Sequence, residues 1–323
     1  MMKRRQFLNS VAALASAGLL PNGVAWAQST ANFGLPTLPS ERFRRVRLGD
    51  IEIIALYDGA TRLPLHERYV TNAPFADVKA LATSLGLSTD YVELTFTGFL
   101  VVAGSRRILL DTGLGEVGTP RETTGHLLDS LRQAGFAPGD IDTVVITHFH
   151  ADHISGLRNR SGDFVYPNAK VWVSDREYTY WMSDEQMKAS PDRKWAFEQV
   201  RRVFTGMPES MLRRYTPGQE IAPGVFSIPA YGHTPGHTIY EVRSGGRTFH
   251  YIGDMINVPA FFARHPEWMV ASDIDPEASL AERQKFLARV AKTTDLVGGF
   301  HFPFPAIGHL RPLEQGFEFV PLA

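Results

Sequence analysis

The chain has 323 residues, of which 44% are hydrophobic and 21% are charged, and its formal net charge is −1. This length and apolar content are enough to bury a large core, as one large domain or two small ones. Because there is no excess of Lys and Arg to displace counterions from a phosphate backbone, we expect no nucleic-acid partner. Cysteine is absent, which excludes thiolate catalysis and leaves histidine and carboxylate as the ligands for any bound metal.

The first 27 residues have the features of an export signal. Arg4 and Arg5 precede an apolar stretch over 11–20, and residues 25–27, Ala-Trp-Ala, suit a signal peptidase. The arginine pair followed by Phe-Leu resembles a twin-arginine signal, which we predict over 1–27. No later stretch reaches the roughly 18 apolar residues of a spanning helix. We therefore expect a periplasmic or secreted protein with no membrane anchor in the mature chain.

The first half of the mature chain combines strand and helix patterns. Residues 28–43 are a polar segment without periodicity, for which we predict an extended lead-in. Patterns typical of strands follow at 51–56, 91–102, 107–110 and 144–146. A helix is predicted over 124–134, because its three leucines share one face and Gly135 follows as a stop signal.

The second half repeats this mixture. Strand patterns occur at 170–173, 225–229, 238–242 and 248–252. A helix is predicted to begin at Asp275-Pro276-Glu277, which offers a capping side chain, a proline at the first helical position and an acid near the positive end of the dipole. Its predicted buried face consists of Leu280, Phe286, Leu287 and Val290. Strands and helices alternate without a low-complexity linker, so we predict a single α/β domain over 44–323.

The most informative segment is 147–153, which reads Thr-His-Phe-His-Ala-Asp-His and follows a short apolar strand. In an extended chain, positions i and i+2 point the same way, so His148 and His150 can bind one metal ion together. If the chain then turns, Asp152 and His153 face a second ion. Two such ions need to lie about 3.5–4 Å apart for one hydroxide to bridge them. The segment therefore predicts a binuclear metal site.

Five segments in chain order resemble the metallo-β-lactamase superfamily. They are Leu-Leu-Asp-Thr-Gly at 109–113, His148-x-His150-x-Asp152-His153, Gly-His-Thr-Pro-Gly-His-Thr at 232–238, Ile-Gly-Asp at 252–254, and His301 after an apolar run. Together they cover nearly all of the mature chain. The resemblance implies the fold of that family, a four-layer αβ/βα sandwich with the metals at one edge.

The resemblance also implies a set of metal ligands. One ion would be held by His148, His150 and His237, and the other by Asp152, His153 and His301, with Asp254 bridging the two. Nitrogen and oxygen ligands favour Zn²⁺, with Fe, Mn or Co as further possibilities.

Other residues receive roles from the same resemblance. Asp152 and Asp254 would position a metal-bridging hydroxide that attacks the substrate, and they are the predicted catalytic residues. Asp111, His233 and His309 would support the ligands from behind. His233 is the most ambiguous of these, because it lies only four residues before His237.

Within the superfamily the resemblance is strongest to methyl parathion hydrolase and related exported lactonase-like enzymes. It extends to segments 48–53, 302–309 and 316–321. It implies a small, neutral, apolar substrate (a lactone, an aryl ester or a phosphotriester) and, as a family-level expectation, a homodimer. The loop 113–125 is longer and more polar than in that enzyme. We therefore expect lactone or ester hydrolysis to exceed phosphotriester turnover.

Aromatic residues that could line a pocket for such a substrate can equally belong to the core. The candidate lining residues are Arg68, Trp181, Trp195, Phe197, Phe261 and Phe262. Three other functions stay open at this point: a β-lactamase or a thioesterase of the same fold, and a zinc-binding protein without catalysis.

Overall fold

The computed structural model describes residues 32–118 and 120–322. The predicted signal peptide and residues 28–31 of the predicted lead-in lie outside this part of the chain. Residues 32–42 contain no regular helix or strand, and the first strand begins at Phe43. Over the described ranges, no helix combines the length and the apolar character that crossing a bilayer requires.

The first sheet contains seven strands in sequence order. They are β1 (Phe43–Leu48), β2 (Ile51–Pro64), β3 (Tyr91–Ala103), β4 (Arg106–Leu110), β5 (Thr143–Val145), β6 (Lys170–Ser174) and β7 (Leu212–Tyr215). Strands β1 to β4 pair antiparallel, and β4 to β7 pair parallel.

The second sheet also contains seven strands, again neighbours in sequence order. They are β8 (Glu220–Ala222), β9 (Val225–Pro229), β10 (Thr238–Ser244), β11 (Arg247–Tyr251), β12 (Leu296–Gly298), β13 (Ile307–Pro312) and β14 (Phe317–Pro321). All neighbouring pairs are antiparallel except β11 and β12, which are parallel.

Eight α-helices connect and cover the sheets in the described part of the chain. They are α1 (Phe75–Ser84), α2 (Leu127–Gln133), α3 (Ala151–Ile154), α4 (Asp175–Met182), α5 (Asp184–Ala189), α6 (Lys194–Phe204), α7 (Pro259–Phe262) and α8 (Pro276–Val290).

Alternating side chains divide the first sheet between two cores. In β3, Phe99 and Val101 belong to a core shared with the second sheet, whereas Leu100 between them belongs to a core formed with the helices. This division follows from the two-residue period of a strand. The helix-side core contains residues of α2, α4 and α6, and α8 packs its Phe286 ring against His250 of the second sheet. The layer order is therefore helices, sheet, sheet, helices, which confirms the predicted α/β sandwich.

Helix α8 begins as predicted, because the Asp275 side chain accepts a hydrogen bond from the backbone N–H of Ala278. Its buried face differs from the prediction at one position. Leu280 is only partly buried, and Arg283 is buried instead. The Arg283 guanidinium donates to the carbonyl groups of Pro266 and Trp268, so this face of α8 holds a loop by hydrogen bonds as well as by apolar packing.

Candidate metal centre

The predicted metal ligands lie at one edge of the sandwich, where several strands end. His148 and His150 follow β5, Asp254 follows β11, and His301 follows β12. The loop before β10 approaches the same edge and contributes His233. The carboxyl ends of parallel strands meet at one edge of a sheet, which explains why residues so distant in sequence converge here.

A first cluster contains three imidazole rings and one carboxylate. The Nε2 atom of His233 lies 3.2 Å from His148 Nε2 and 3.0 Å from His150 Nδ1. His148 Nε2 and His150 Nδ1 are 3.0 Å apart. Asp254 Oδ2 lies 3.3 Å from His233 Nε2. The four ligand atoms all lie within 4.8 Å of one another.

A second cluster contains Asp152, His153 and His301, which also lie within 4.8 Å of one another. Asp152 Oδ2 lies 3.6 Å from His153 Nε2 and 3.5 Å from His301 Nε2. Asp254 joins this cluster to the first one, because its Oδ1 is 3.1 Å from His153 Nε2 and its Oδ2 is 3.0 Å from His301 Nε2. Asp254 thus lies between the clusters, where the sequence predicted a bridging carboxylate.

The chemistry of these donors fits two divalent metal ions. Three imidazole nitrogens within 3.0–3.2 Å of one another cannot all be satisfied by protons. Nitrogens bound to one zinc ion at about 2.0–2.1 Å would lie roughly 3.3 Å apart in a tetrahedron. In addition, His153 Nε2 and Asp254 Oδ1 are buried and, although they lie 3.1 Å apart, neither makes a hydrogen bond of acceptable geometry within the described residues. Buried polar atoms without partners are rare, and here both point to cations as the missing partners.

The prediction that His237 completes the first cluster is corrected by this geometry. The His237 ring uses Nδ1 to donate to the Ala230 carbonyl at 3.1 Å, and its Nε2 accepts the backbone N–H of Asp254 at 3.3 Å. Both nitrogens are therefore committed to the main chain. His233 occupies the place that we predicted for His237, and His237 occupies the supporting role that we predicted for His233.

The electrostatics of the first cluster favour neutral imidazoles. Burial, together with the charge of neighbouring histidines, lowers the pKa of His148 and His150 well below the usual value. Burial and the nearby His233 also lower the pKa of His237 to about 3. A histidine must be neutral to bind a metal, so the fold prepares His148 and His150 for ligation.

His233 and His153 behave differently because carboxylates face them. Burial alone lowers the pKa of His233, but hydrogen bonds to Asp254 and Asp273 outweigh it and raise the pKa to about 9. Burial is likewise outweighed at His153, where Asp254, Asp152 and Asp111 raise the pKa well above its usual value. The raised pKa of these two rings reflects the negative charge of the carboxylates around them, which is also the charge that would attract divalent ions.

Asp111, for which the sequence predicts a supporting role, contacts a histidine of the second cluster. Its carboxylate is fully buried and accepts hydrogen bonds from the backbone and hydroxyl groups of Thr147, each at 2.8 Å, and from Tyr251 Oη at 2.7 Å. It also lies 2.7 Å from His153 Nδ1. This contact fixes the ring so that Nε2 faces the cluster, which is the usual role of a carboxylate behind a metal-binding histidine.

Two further supporting carboxylates were not predicted. Asp273 Oδ1 lies 2.8 Å from His233 Nδ1, so the Asp273–His233 pair repeats the Asp111–His153 arrangement. Glu177 on α4 is buried and accepts four hydrogen bonds, from Phe149 N, Trp181 Nε1, Thr234 Oγ1 and Gly236 N, at 2.7–2.9 Å. Glu177 therefore ties the His148–His150 segment to the loop that carries His233. Neither acid belongs to a local motif, so the sequence contained no signal for its role.

Segment 232–238 can pass closely between α4 and α8 because two of its residues are glycines. Gly232 has φ +136°, and a Cβ at this residue would lie 2.1 Å from Ser279 N. A Cβ at Gly236 would lie 2.3 Å from Glu177 N. Both positions require the absence of a side chain, because the loop passes directly over α8 on one side and α4 on the other.

The predicted pocket residues divide into three groups. Trp181 and Phe197 are fully buried in the helix-side core, with the Trp181 ring 6.1 Å from that of His150. Phe261 and Phe262 are buried in the core between the sheets. Trp195 is 42% exposed and Arg68 is exposed as well, so neither belongs to an enclosed pocket. Trp195 lies on the outward face of α6, whose inward face contains Phe197.

His309 lies on β13, where its Nδ1 donates to the Asp295 carbonyl at 3.1 Å. Within residues 32–118 and 120–322, no hydrogen bond or ion pair joins His309 to the metal centre, so no contact supports its predicted role there. An open cleft of about 610 Å³ lies beside the loop that carries His233. Its walls include Arg176, Tyr231, Met269 and Ile274.

Comparison with known proteins agrees with this geometry. Residues 97–301 match the family described as the Metallo-beta-lactamase superfamily. AidC, a dizinc quorum-quenching lactonase in complex with a product, N-hexanoyl-L-homoserine, superposes with a TM-score of 0.78 at 28% identity, covering 87% of this chain and 97% of AidC. AbOPH, a hydrolase in the beta-lactamase superfamily, superposes with a TM-score of 0.82 at 27% identity, covering 88% and 99%.

The curated relatives match a smaller share of the chain than these two structures do. A ribonuclease of Thermus thermophilus is 27% identical over 172 residues, which is 51% of this chain and 36% of the relative. The N-acyl homoserine lactonase AttM of Agrobacterium fabrum is 24% identical over 219 residues, 60% of this chain and 72% of the relative. The chain thus spans about a third of the ribonuclease and most of the lactonase.

Proposed function

This chain belongs to the metallo-β-lactamase superfamily, and we propose that it is a binuclear metal-dependent hydrolase of small neutral lactones and aryl esters. The observation that carries the proposal is the position of Asp254, whose two oxygens lie 3.0–3.3 Å from His153, His233 and His301. A carboxylate shared between two histidine clusters suits a pair of ions acting on one substrate.

In this proposal His148, His150 and His233 would hold one ion and Asp152, His153 and His301 would hold the other, with Asp254 available to both. Divalent ions, most simply Zn²⁺, would supply a nucleophilic water at neutral pH and polarise the bond to be cleaved. The protein orients these groups from behind. Asp111 and Asp273 fix the rings of His153 and His233, and the Thr95 carbonyl fixes that of His301 at 2.9 Å.

Asp152 has the more open position of the two predicted catalytic acids. Its side chain is 20% exposed, whereas that of Asp254 is 4% exposed. We propose that both carboxylates orient the attacking water and that Asp152, on the solvent side, carries its proton towards the leaving oxygen. An Asp254→Asn variant should keep its fold and lose most of its activity.

The substrate class rests on two supports. The net charge of −1 gives no cationic surplus for an anionic substrate, and the AidC neighbour is a lactonase. The long polar loop 113–125 leads us to propose that phosphotriester turnover is minor. A phosphotriester kcat/KM above that of every lactone and aryl ester tested would overturn this order.

The test is hydrolysis of four substrates by the purified protein after loading with Zn²⁺: an aryl acetate, an aromatic lactone, an acyl-homoserine lactone and a phosphotriester. His150→Ala is the matched control, because it removes one ligand while leaving the second cluster intact. We expect about two metal ions per chain, turnover of at least one carbonyl substrate, and loss of turnover in the control. Two bound ions without turnover of any of the four substrates would refute the lactone and aryl-ester hydrolase and leave a β-lactamase, a thioesterase or a metal-binding protein.

We also propose export through residues 1–27. Replacing Arg4 and Arg5 by lysine should retain the protein in the cytoplasm of a bacterial host with a twin-arginine pathway. Fractionation of the host checks this, and unchanged export of the double variant would contradict it.

A further inference from the structure

The two carboxylates behind the metal-binding histidines are held in place in different ways. The Asp111 carboxylate has four polar contacts, so hydrogen bonds fix its orientation directly. The Asp273 carboxylate has one, to His233 Nδ1 at 2.8 Å. Its second oxygen, Oδ2, is buried and has no hydrogen-bond partner among the described residues. The orientation of Asp273 towards His233 therefore depends on the main chain that carries it.

This main chain, residues 266–273, is the supporting segment, and a buried arginine of α8 holds it. The Arg283 guanidinium donates from Nε to the Pro266 carbonyl at 3.2 Å and from Nη2 to the Trp268 carbonyl. Both acceptors belong to the part of the segment that leads to Asp273. Arg283 thus fixes the segment five to seven residues before the carboxylate that contacts His233.

A second set of contacts holds the segment from its solvent side. Asn72 Nδ2 donates to the Glu267 carbonyl, and Asn72 Oδ1 accepts the N–H of Met269, each at 2.8 Å. Val70 forms a β-bridge with Val270. Because Asn72 is exposed, water can replace its hydrogen bonds, whereas the loss of a buried donor leaves carbonyl groups without a partner. Of the two sets, the contacts of the buried arginine are the ones that solvent cannot replace.

Arg283 is an unusual residue to find in such a place. It is 1% exposed, and within the described ranges it forms no ion pair. Its guanidinium carbon lies 5.7 Å from the centroid of the Phe262 ring. A buried cation without an ion pair lowers stability. Burial lowers the pKa of Arg283, and the charge of Asp273 acts in the opposite direction. The buried cation therefore attracts the carboxylate behind His233 as well as holding its main chain.

Helix α8 also supports the other partner of the pair. Ser279 lies one turn before Arg283 on the same face of the helix. A Cβ at Gly232 would lie 2.1 Å from Ser279 N, so the chain that leads into His233 rests directly on this turn. The N–H of Ile274 donates to the His233 carbonyl at 3.0 Å. Two successive turns of α8 thus align the histidine and the acid behind it.

We propose that Arg283 is a positioning residue of the metal centre, which holds residues 266–273 so that Asp273 orients His233 for the first ion. This inference rests on the proposed function, because it requires a metal ion at the first cluster. Arg283 is not a ligand and acts through Asp273. The expected signature is a lower affinity of the first cluster for Zn²⁺, and this loss should require Asp273.

A double-mutant cycle tests this dependence by Zn²⁺ competition with a chromophoric chelator. Arg283→Met keeps the approximate length of the side chain and removes its donors and charge. We expect the affinity of the first cluster to fall about 10-fold in Arg283→Met. In the Asp273→Ala background the same change should cost less than about threefold, because residues that act through one another are not additive. In the His233→Gln background, which reports the second cluster alone, the affinity should change less than about twofold.

Two further variants separate positioning from a general loss of stability. Arg158→Met is the matched control, because Arg158 also donates to main-chain carbonyl groups, those of Val203 at 2.7 Å and Thr205 at 2.8 Å, but beside α6. It should lower the thermal midpoint and change the Zn²⁺ affinity less than about twofold. Arg283→Lys keeps the charge and loses the forked geometry, so we expect a loss of about threefold that again requires Asp273. If Arg283→Met does not fold, Arg283→Lys decides by the same criterion.

Several results would overturn the proposal while leaving the hydrolase intact. They are equal losses with and without Asp273, a loss in the His233→Gln background, a loss as large in Arg158→Met, or a wild-type affinity in both Arg283 variants. A wild-type protein that binds no Zn²⁺ would instead refute the proposed function, and the inference with it.

Discussion

Glu177 offers the sharpest test of how the metal centre is held together. Oε1 accepts from Phe149 N and Trp181 Nε1, and Oε2 accepts from Thr234 Oγ1 and Gly236 N. In Glu177→Gln the amide oxygen can replace Oε1 and keep its two donors. The NH₂ group then faces a hydroxyl, which can turn to accept, and the Gly236 N–H, which cannot.

The expected cost is therefore that of one buried N–H without an acceptor, about 1–3 kcal/mol in the free energy of unfolding. Because Gly236 and Thr234 follow His233 and Phe149 lies between two ligands, the same change should loosen the first cluster. We expect the affinity for Zn²⁺ to fall about 10- to 100-fold, as for other residues that orient metal ligands.

The assays are urea unfolding of the metal-loaded and chelator-treated protein and Zn²⁺ competition with a chromophoric chelator. Glu198→Gln is the matched control, because this acid on α6 is 60% exposed and forms an ion pair with Lys194 at 3.5 Å on the surface of the helix. The control should change stability by less than about 0.5 kcal/mol. If Glu177→Gln unfolds at the same urea concentration as the control and retains the Zn²⁺ affinity of wild type, the four hydrogen bonds do not organise the site as we argue.

Three further predictions concern individual side chains. His233→Gln should lower the metal content to about one ion per chain, whereas His237→Gln should retain two. Metal analysis of both variants tests this, and the opposite result would show that His237 is the ligand, as the sequence predicted. Asp273→Ala should weaken the binding of Zn²⁺ to the first cluster about 10- to 100-fold, with little effect on the ion of the second cluster. A Zn²⁺ affinity equal to that of wild type, measured by chelator competition, would contradict this prediction. Burial raises the pKa of Asp58 to about 7 despite hydrogen bonds from Leu114 N and Leu127 N. The folded protein thus binds the proton of the Asp58 carboxyl more tightly than the unfolded chain does. Protonated Asp58 therefore contributes its full stabilisation of the folded state below about pH 4, and this contribution is lost as the pH rises through about 7. Asp58→Asn should flatten the pH dependence of the free energy of unfolding over this window, and equal slopes for variant and wild type would refute the assignment.

Much of the fold could be predicted from local patterns. The apolar run at 144–146 and the aromatic residues within 248–252 predicted strands, because a buried strand must be apolar on one or both faces. Asp275-Pro276 predicted the start of α8, because a capping side chain acts within one turn. The His148–His153 segment could also be identified, since its spacing directs neighbouring side chains from one strand end towards a common point. These features depend on residues within a few positions of one another.

Only the tertiary structure decided which distant groups complete the centre. Both histidines of segment 232–238 have the chemistry of a ligand, and the choice of His233 depends on Asp273 behind its ring and on the main-chain partners that occupy His237. Glu177 and Asp273 likewise have no local signature. Their roles arise because the folded sheets and helices bring segments far apart in sequence within hydrogen-bond distance, and the free energy of such contacts depends on burial and geometry that no short stretch of sequence contains.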